Sequence, residues 1–335
     1  MSSVDVVIPC YKYAHFLREC VQGVLGQPGV DVRVLIIDDC SPDNTPEVGQ
    51  QLAAEDKRVE YRRHAVNRGH IATYNEGLLE WAAADYSVLL SADDLLTPGS
   101  LGRSTKLMDA HPQVVMTHGR EIRTNTPASE SIPNSDSRSS LIMSSAEFWE
   151  RSCEHAGNLV STPTAVVRTA MQKSLGGYRR ELPHTGDMEM WLRFAAHGSI
   201  GFVDAVQAFY RLHGQNMSVD FPGIRDIQQR AEAFVVLFRE HGSRLAERDR
   251  LERLAFRELA LCAFWAGCAR FDAAELRKCR EFHELAVRFC PAITRSAAWW
   301  RFRCKRLMGP RLWSQVSPLC RRNRLQQGAP ASLTA

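Results

Sequence analysis

What this chain of 335 residues lacks narrows its class. No apolar run approaches the ~18 consecutive residues that would span a bilayer. The N-terminus has no secretory-leader pattern, because Asp5 interrupts the short strand-like run that opens at Val4. Ten cysteines are scattered without a Cys-x-x-Cys pair or a regular framework, which fits reduced thiols better than disulfides or a zinc site. Together these absences lead to the expectation of a cytoplasmic protein. No Gly-x-Gly-x-x-Gly follows the first strand-like run, which argues against a dinucleotide-dependent dehydrogenase. Gly23, Gly26 and Gly29 fall in and after a helical stripe, where ending that helix is the better account. The last absence is one of sign: no Asp or Glu follows Glu284, while ten Lys and Arg do. Those ten exceed the whole chain's net charge of +4 by six, so residues 1–284 carry −6 and the basic tail needs its own explanation.

What is present reads as alternating strands and helices. Val4–Pro9 and Val32–Ile37 are buried-strand runs, Val59–Tyr61 a weaker one, and Tyr86–Leu90 a fourth. Helical patterns fall between them, with Phe16, Leu17, Cys20, Val21, Val24 and Leu25 on one stripe and a second helix over Ile71–Ala84. Such alternation implies crossover connections and a mostly parallel α/β sheet. Residues 120–145 are rich in Ser, Asn, Pro and Thr and read as a long loop. Beyond it the pattern predicts a helix near Ala146–Ser152, a strand at Ala165–Val167, a helix over Asp187–His197 and a strand at Phe209–Leu212. From about Ile224 it becomes helical. The simplest partition is a catalytic domain over 1–220 and a helical region with a basic tail over 221–335.

Each predicted strand ends in a polar cluster: Pro9-Cys10-Tyr11, then Asp38-Asp39, then His64 to Gly69, then Asp93-Asp94. In an open parallel sheet the carboxyl ends of the strands converge on one crevice, where ligands bind. Adjacent carboxylates without a basic neighbour, such as Asp93 and Asp94, suit a hard divalent cation that keeps waters and meets phosphate oxygens. The same residue pair also serves as a helix-capping turn.

Several stretches, in order, carry a family resemblance: Val6-Val-Ile-Pro-Cys-Tyr11, Ile36-Ile-Asp-Asp-Cys-Ser41, Asn67-Arg-Gly69 with Asn75-Glu-Gly77, and Ser91-Ala-Asp-Asp94. Gly176-Gly-Tyr178, Gly186-Asp-Met-Glu-Met-Trp-Leu-Arg193 and Tyr210-Arg-Leu-His-Gly-Gln-Asn-Met-Ser218 continue the series. Over residues 4–218 the chain resembles the family-two inverting glycosyltransferases of the GT-A fold. The resemblance implies a Rossmann-like sheet flanked by helices and a nucleotide-diphospho-sugar donor, typically UDP-linked. It also implies a glycan or lipid-linked acceptor and a Mg²⁺ or Mn²⁺ cofactor.

By the same resemblance Pro9 and Tyr11 border the nucleotide and Asp39 accepts a hydrogen bond from the base. Asn67, Gly69 and Asn75 line the donor pocket. Asp93 ligates the cation with Asp94 assisting, His213 reaches the metal or diphosphate, and Asp187 is the catalytic base. Asp38 is expected only to shape its turn. Asn67 as a turn residue, Asp187 as a helix N-terminal acid and His213 as a structural histidine remain open alternatives. Two positions depart from the family's commonest pattern: Ser91 replaces an acid, and Gly186 stands where Glu precedes the catalytic Asp. A nucleotidyltransferase is expected to carry a Gly-rich basic loop after the first strand, and Cys10-Tyr-Lys-Tyr13 is not one. A non-catalytic nucleotide-sugar-binding module is the third reading.

In the tail, Trp299-Trp-Arg-Phe-Arg-Cys-Lys-Arg-Leu307 mixes aromatics with cations, and Trp313 follows. Residues 299–324 therefore suit an anionic membrane surface and peripheral attachment. A solvated basic terminus packing one or two Trp on the helices is the alternative. No fold signature supports a nucleic-acid partner.

Overall fold

The computed structural model describes residues 1–125, 139–214, 216, 223–309 and 313. Strands β1 (Ser3–Cys10), β2 (Asp31–Asp38), β3 (Val59–Arg63) and β4 (Tyr86–Leu89) run parallel in the order β3-β2-β1-β4. Between them lie α1 (Ala14–Leu25), α2 (Thr45–Glu55) and α3 (His70–Asn75), the last continuing as a π-helical stretch, Glu76–Trp81. The helix expected over Ile71–Ala84 is therefore two geometries in one rod.

The sheet continues through β5 (Leu95–Leu96), β6 (Val114–Thr124), β7 (Ser140–Met143), β8 (Val166–Arg168) and the long β9 (Ser199–Arg211), giving β3-β2-β1-β4-β8-β6-β9-β5 with β7 also on β9. β6 and β9 pair in parallel over most of their length, whereas the antiparallel pairings β4–β8, β6–β8, β5–β9 and β7–β9 are only two to four residues long. The sheet is thus mostly parallel, as expected. The loop expected over 120–145 is strand at both ends, through Thr124 and from Ser140, and residues 126–138 lie outside the described part.

Alternation along the central strands sends side chains to two cores. Val4, Val6, Ile8, Val34 and Ile36 face α1, α2 and α4 (Ser100–Ala110). Val7, Leu35 and Ile37 face a larger core shared with α5 (Ser145–His155), α7 (Gly186–Ala195), α8 (Ile224–His241), α9 (Arg248–Asp272) and α10 (Leu276–Phe289). α6 (Thr169–Leu175) follows β8 on its own short segment. Helix α5 starts on a reciprocal capping box between Ser144 and Glu147, which fixes its first turn. A last helix, α11, covers 297–309. The second core crosses residue 220 without a break: Trp149 of α5 lies 5.5 Å from Phe238 of α8, ring to ring.

Candidate active site

β1, β2, β3 and β4 point the same way, so the segments that follow Cys10, Asp38, Arg63 and Leu89 gather along one edge. The first two turns are conformationally strained. Lys12 and Cys40 have φ of 65° and 61°, a region few L-residues adopt, and the Lys12 N–H donates to Ser41 Oγ at 3.1 Å. Pro9 is half-buried at the end of β1 and Tyr11 is exposed beside the turn, with Lys12 Nζ 4.8 Å from its ring.

Asp38 is fully buried and shapes its turn. It accepts from the Ser41 N–H at 2.7 Å and from the Tyr61 hydroxyl at 2.9 Å. Asp39 organises the next loop. Its two oxygens accept from the backbone N–H groups of Arg68 (2.7 Å) and Gly69 (2.8 Å), while His64 Nδ1 lies 2.7 Å away. His64 bridges onward to Glu76 at 3.0 Å, and Arg68 also donates to Glu76 at 2.6 Å. Asn67 is exposed, its side-chain oxygen accepting from the Gly69 N–H at 3.0 Å. Gly69 has φ of 81°, and a Cβ placed on it would meet no atom within 4 Å. Backbone geometry selects glycine there, and the space above it is open. Asn75 uses both ends of its amide on the Tyr178 peptide, accepting from the N–H at 2.6 Å and donating to the C=O at 2.9 Å. It ties α3 to the Gly176-Gly-Tyr178 turn and so positions that backbone.

Asp93 and Asp94 are buried in the turn after β4, where the Asp94 N–H closes onto the Ser91 carbonyl at 3.0 Å. Asp93 Oδ2 lies 2.9 Å from His213 Nε2 and 3.5 Å from Asn216 Nδ2. Arg211, at the end of β9, donates from Nε to the Asp93 carbonyl at 2.8 Å, from its N–H to Asp94 Oδ1 at 3.1 Å, and from Nη2 to Glu19 of α1 at 2.8 Å. Its guanidinium lies 4.4 Å from the Phe16 ring, and Phe16 stacks on His213 at 5.4 Å. Burial, and then the charge of Asp93, push the Asp94 carboxyl well above the ordinary carboxylate range.

Among the described residues no group of three His, Cys, Asp or Glu is arranged to hold a metal ion. The Asp93 carboxylate, with His213 beside it, could take a hard cation only together with phosphate and water oxygens. A positive ion would offset the burial and the Asp93 charge that raise Asp94.

Asp187 occupies the first turn of α7. Oδ2 accepts from Asn158 Nδ2 at 2.7 Å and from the Thr162 hydroxyl at 3.2 Å, and Oδ1 accepts from the Met188 N–H at 2.7 Å. Burial raises its carboxyl above the ordinary value, and these hydrogen bonds pull the other way. A Cβ on Gly186 would lie 3.3 Å from Tyr178 Cδ1 and 3.8 Å from Ile71 Cδ1, so glycine keeps this approach uncrowded. Glu189 takes no part in the crevice. It is fully buried, bonded to Arg179 Nε at 3.1 Å and to Arg193. Burial, then the charges of Asp187, Asp93 and Asp94, raise the phenol of Tyr74. Asn158, Thr162, Tyr74 and Arg211 were not among the residues the sequence pointed to.

Residues 5–168 match the model of Glycosyl transferase family 2, and that match supports placing the chain in the family. Over 70% of its length it is 28% identical to a hyaluronan synthase of Pasteurella multocida, and that match covers 22% of the synthase. The chain spans about a fifth of the length of the first curated relatives it matches. In fold it is similar to TarS 1–349 of S. aureus in complex with UDP-GlcNAc: TM-score 0.64, 14% identity, 85% of this chain and 79% of that one. It is likewise similar to the mannosyltransferase PcManGT of Pyrobaculum calidifontis in complex with GDP-Man and Mn²⁺: TM-score 0.58, 16% identity, 89% and 82%. The fold is the GT-A-type architecture that the motifs imply.

Proposed function

We propose that this protein is an inverting glycosyltransferase. It moves a sugar from a nucleotide-diphospho-sugar, UDP-linked by preference, to a hydroxyl of a glycan or lipid-linked acceptor in polysaccharide synthesis, on the cytoplasmic side. The observation that carries this is the pair of buried acids at the carboxyl end of β4, inside the stretch that matches the glycosyltransferase family model, with Asp93 Oδ2 2.9 Å from His213 Nε2. The family match, the hyaluronan synthase relative and the nucleotide-sugar-bound neighbours support the donor class.

The chemistry follows from the two ends of the crevice. On the donor side, Pro9, Tyr11, Asn67 and Gly69 border the nucleotide, and Asp39 shapes that pocket by holding the Arg68–Gly69 peptide groups. Mg²⁺ or Mn²⁺, held by Asp93 and His213 with Asp94 behind, would neutralise charge developing on the departing nucleoside diphosphate. On the acceptor side, Asn158, Thr162 and the Met188 N–H fix the Asp187 carboxylate. Asp187 takes the proton of the acceptor hydroxyl as its oxygen bonds to the anomeric carbon. The carbon–phosphate-oxygen bond breaks with its electron pair going to the diphosphate. One displacement inverts the anomeric centre.

Asp187→Asn tests the reading. Donor binding should persist while transfer falls about 10²- to 10⁴-fold, the usual contribution of a positioned base. Transfer at the wild-type rate would remove Asp187 from the mechanism. A wild type that binds donor but transfers to no acceptor would leave only the binding-module reading.

A further inference from the structure

Helix α11 has two unlike faces. One is committed to the helical core: Trp299 stacks on Phe264 at 5.6 Å, and buried Phe302 meets His283 at 4.3 Å and Phe271 at 5.4 Å. Lys305 lies on that side as well, ion-paired with Asp272 of α9 and 5.0 Å from the Trp313 ring. The other face meets solvent. Trp300 is 54% exposed, Leu307 89% and Met308 38%, and Cys304 is also exposed. Positions 300, 304, 307 and 308 fall on one helical stripe. Arg301 and Arg303 stand exposed at its borders, the Arg303 guanidinium 4.9 Å from the Trp300 ring.

Large apolar side chains in a row on an outward face call for a partner. Its chemistry is constrained by charge, because the charged residues of α11, Arg301, Arg303, Lys305 and Arg306, are all cations. A second copy of the same face would set arginines against arginines. A nucleic acid would satisfy the arginines and leave Leu307 and Met308 without a role. A surface that offers both negative headgroups and an apolar layer satisfies both sets.

We propose that α11 is a membrane-surface anchor. Trp300, Leu307 and Met308 enter the boundary between headgroups and acyl chains of an anionic leaflet, Arg301 and Arg303 pair with the headgroups, and Trp299 and Phe302 bind the helix to the protein body. The neighbouring tryptophans thus do different things, Trp299 holding the fold while Trp300 reaches the lipid. Residues 310–312 and 314–324 of the tail lie outside the described residues and carry none of the argument. Only the anchor's purpose, bringing the site to a lipid-linked acceptor, rests on the glycosyl-transfer reading.

The experiment is cosedimentation of the full chain, without donor or acceptor, with vesicles of phosphatidylcholine alone or mixed with phosphatidylglycerol. Wild type should partition onto the mixed vesicles and weakly onto the neutral ones, with partition falling as salt rises. Trp300→Ser combined with Leu307→Ser should lower partition at least tenfold, with an unchanged thermal midpoint because both residues are exposed. Arg301→Glu with Arg303→Glu should abolish the preference for anionic vesicles, at about fivefold per cation removed. Equal partition of wild type onto both vesicles, wild-type partition by the Trp300/Leu307 variant, or binding to single-stranded DNA but not to vesicles would each overturn the proposal. Asp187→Asn should bind vesicles as wild type does, so loss of transfer and loss of anchoring are read separately.

Discussion

Asp187 stands under two opposed influences, burial that favours its protonated form and the Met188 and Thr162 hydrogen bonds with the charge of His184 that favour its ionised form, and burial wins. A base works only when ionised, so the acid limb of the pH–rate profile should lie above the ordinary aspartate range, with transfer lost as pH falls through it. The stability sign is the reverse of a salt-bridged carboxylate. The folded protein holds this proton more tightly than the unfolded chain, so its contribution is fully present below the unfolded pKa and is lost as pH rises through the folded one. Asp187→Asn should therefore melt at neutral pH no lower than wild type, which differential scanning calorimetry can read. At the other end of the crevice, millimolar Mn²⁺ should raise the melting temperature of wild type, because an ion bound only by the folded state stabilises it. Asp93→Asn should lose that rise, and full transfer in excess chelator would refute the cation's role. Asp93, Asp187 and His213 were legible because each follows a recognisable strand or opens a recognisable helix. Asn158 and Thr162 were not: a single amide and a single hydroxyl in a loop carry no pattern until the fold brings them to Asp187. Asn75 was legible as a polar residue at the right place, but its use on the Tyr178 backbone depends on a contact 103 residues away.

Helix α7 shows how an element holds a site still. Its first turn presents Asp187, and one half-turn on, Glu189 points inward to Arg179 and Arg193. Arg193 in turn donates to the carbonyls of Leu175 at 2.8 Å and Gly177 at 3.0 Å, so the helix is pinned to the turn that Asn75 also grips. Glu189→Ala leaves two guanidinium groups facing a buried vacancy, and should cost about 3–5 kcal/mol in urea unfolding. Strands β1, β2 and β4 could be read from apolar runs because both faces are largely buried, whereas β3, at the sheet edge with Glu60 and Arg63 exposed, reads weakly. β9 was read only at its end, as Phe209–Leu212, since its earlier half alternates buried and half-exposed residues around Gly201, Asp204 and Gln207. The switch to π geometry at Glu76–Trp81 left no mark on a pattern whose apolar spacing suits either helix.

At the scale of the molecule, the division expected at residue 220 marks a change from sheet to helices, while the larger core runs across it through Trp149, Trp191, Phe234 and Phe264. A chain ending at residue 220 would expose Phe148, Trp149 and Trp191 to water. It should therefore fail to unfold cooperatively, as judged by near-ultraviolet circular dichroism during a urea titration. The place of β9 in the sheet also bears on how the protein is made. Last of the described strands to leave the ribosome, it lies between β6 and β5, and its final residue, Arg211, joins Asp93, Asp94 and Glu19. Among the described strands β5 has no partner until then. Glu19, Asp93 and Asp94, made early in synthesis, thus wait for a strand made more than a hundred residues later, and the cluster they form with Arg211 is assembled only when that insertion is complete.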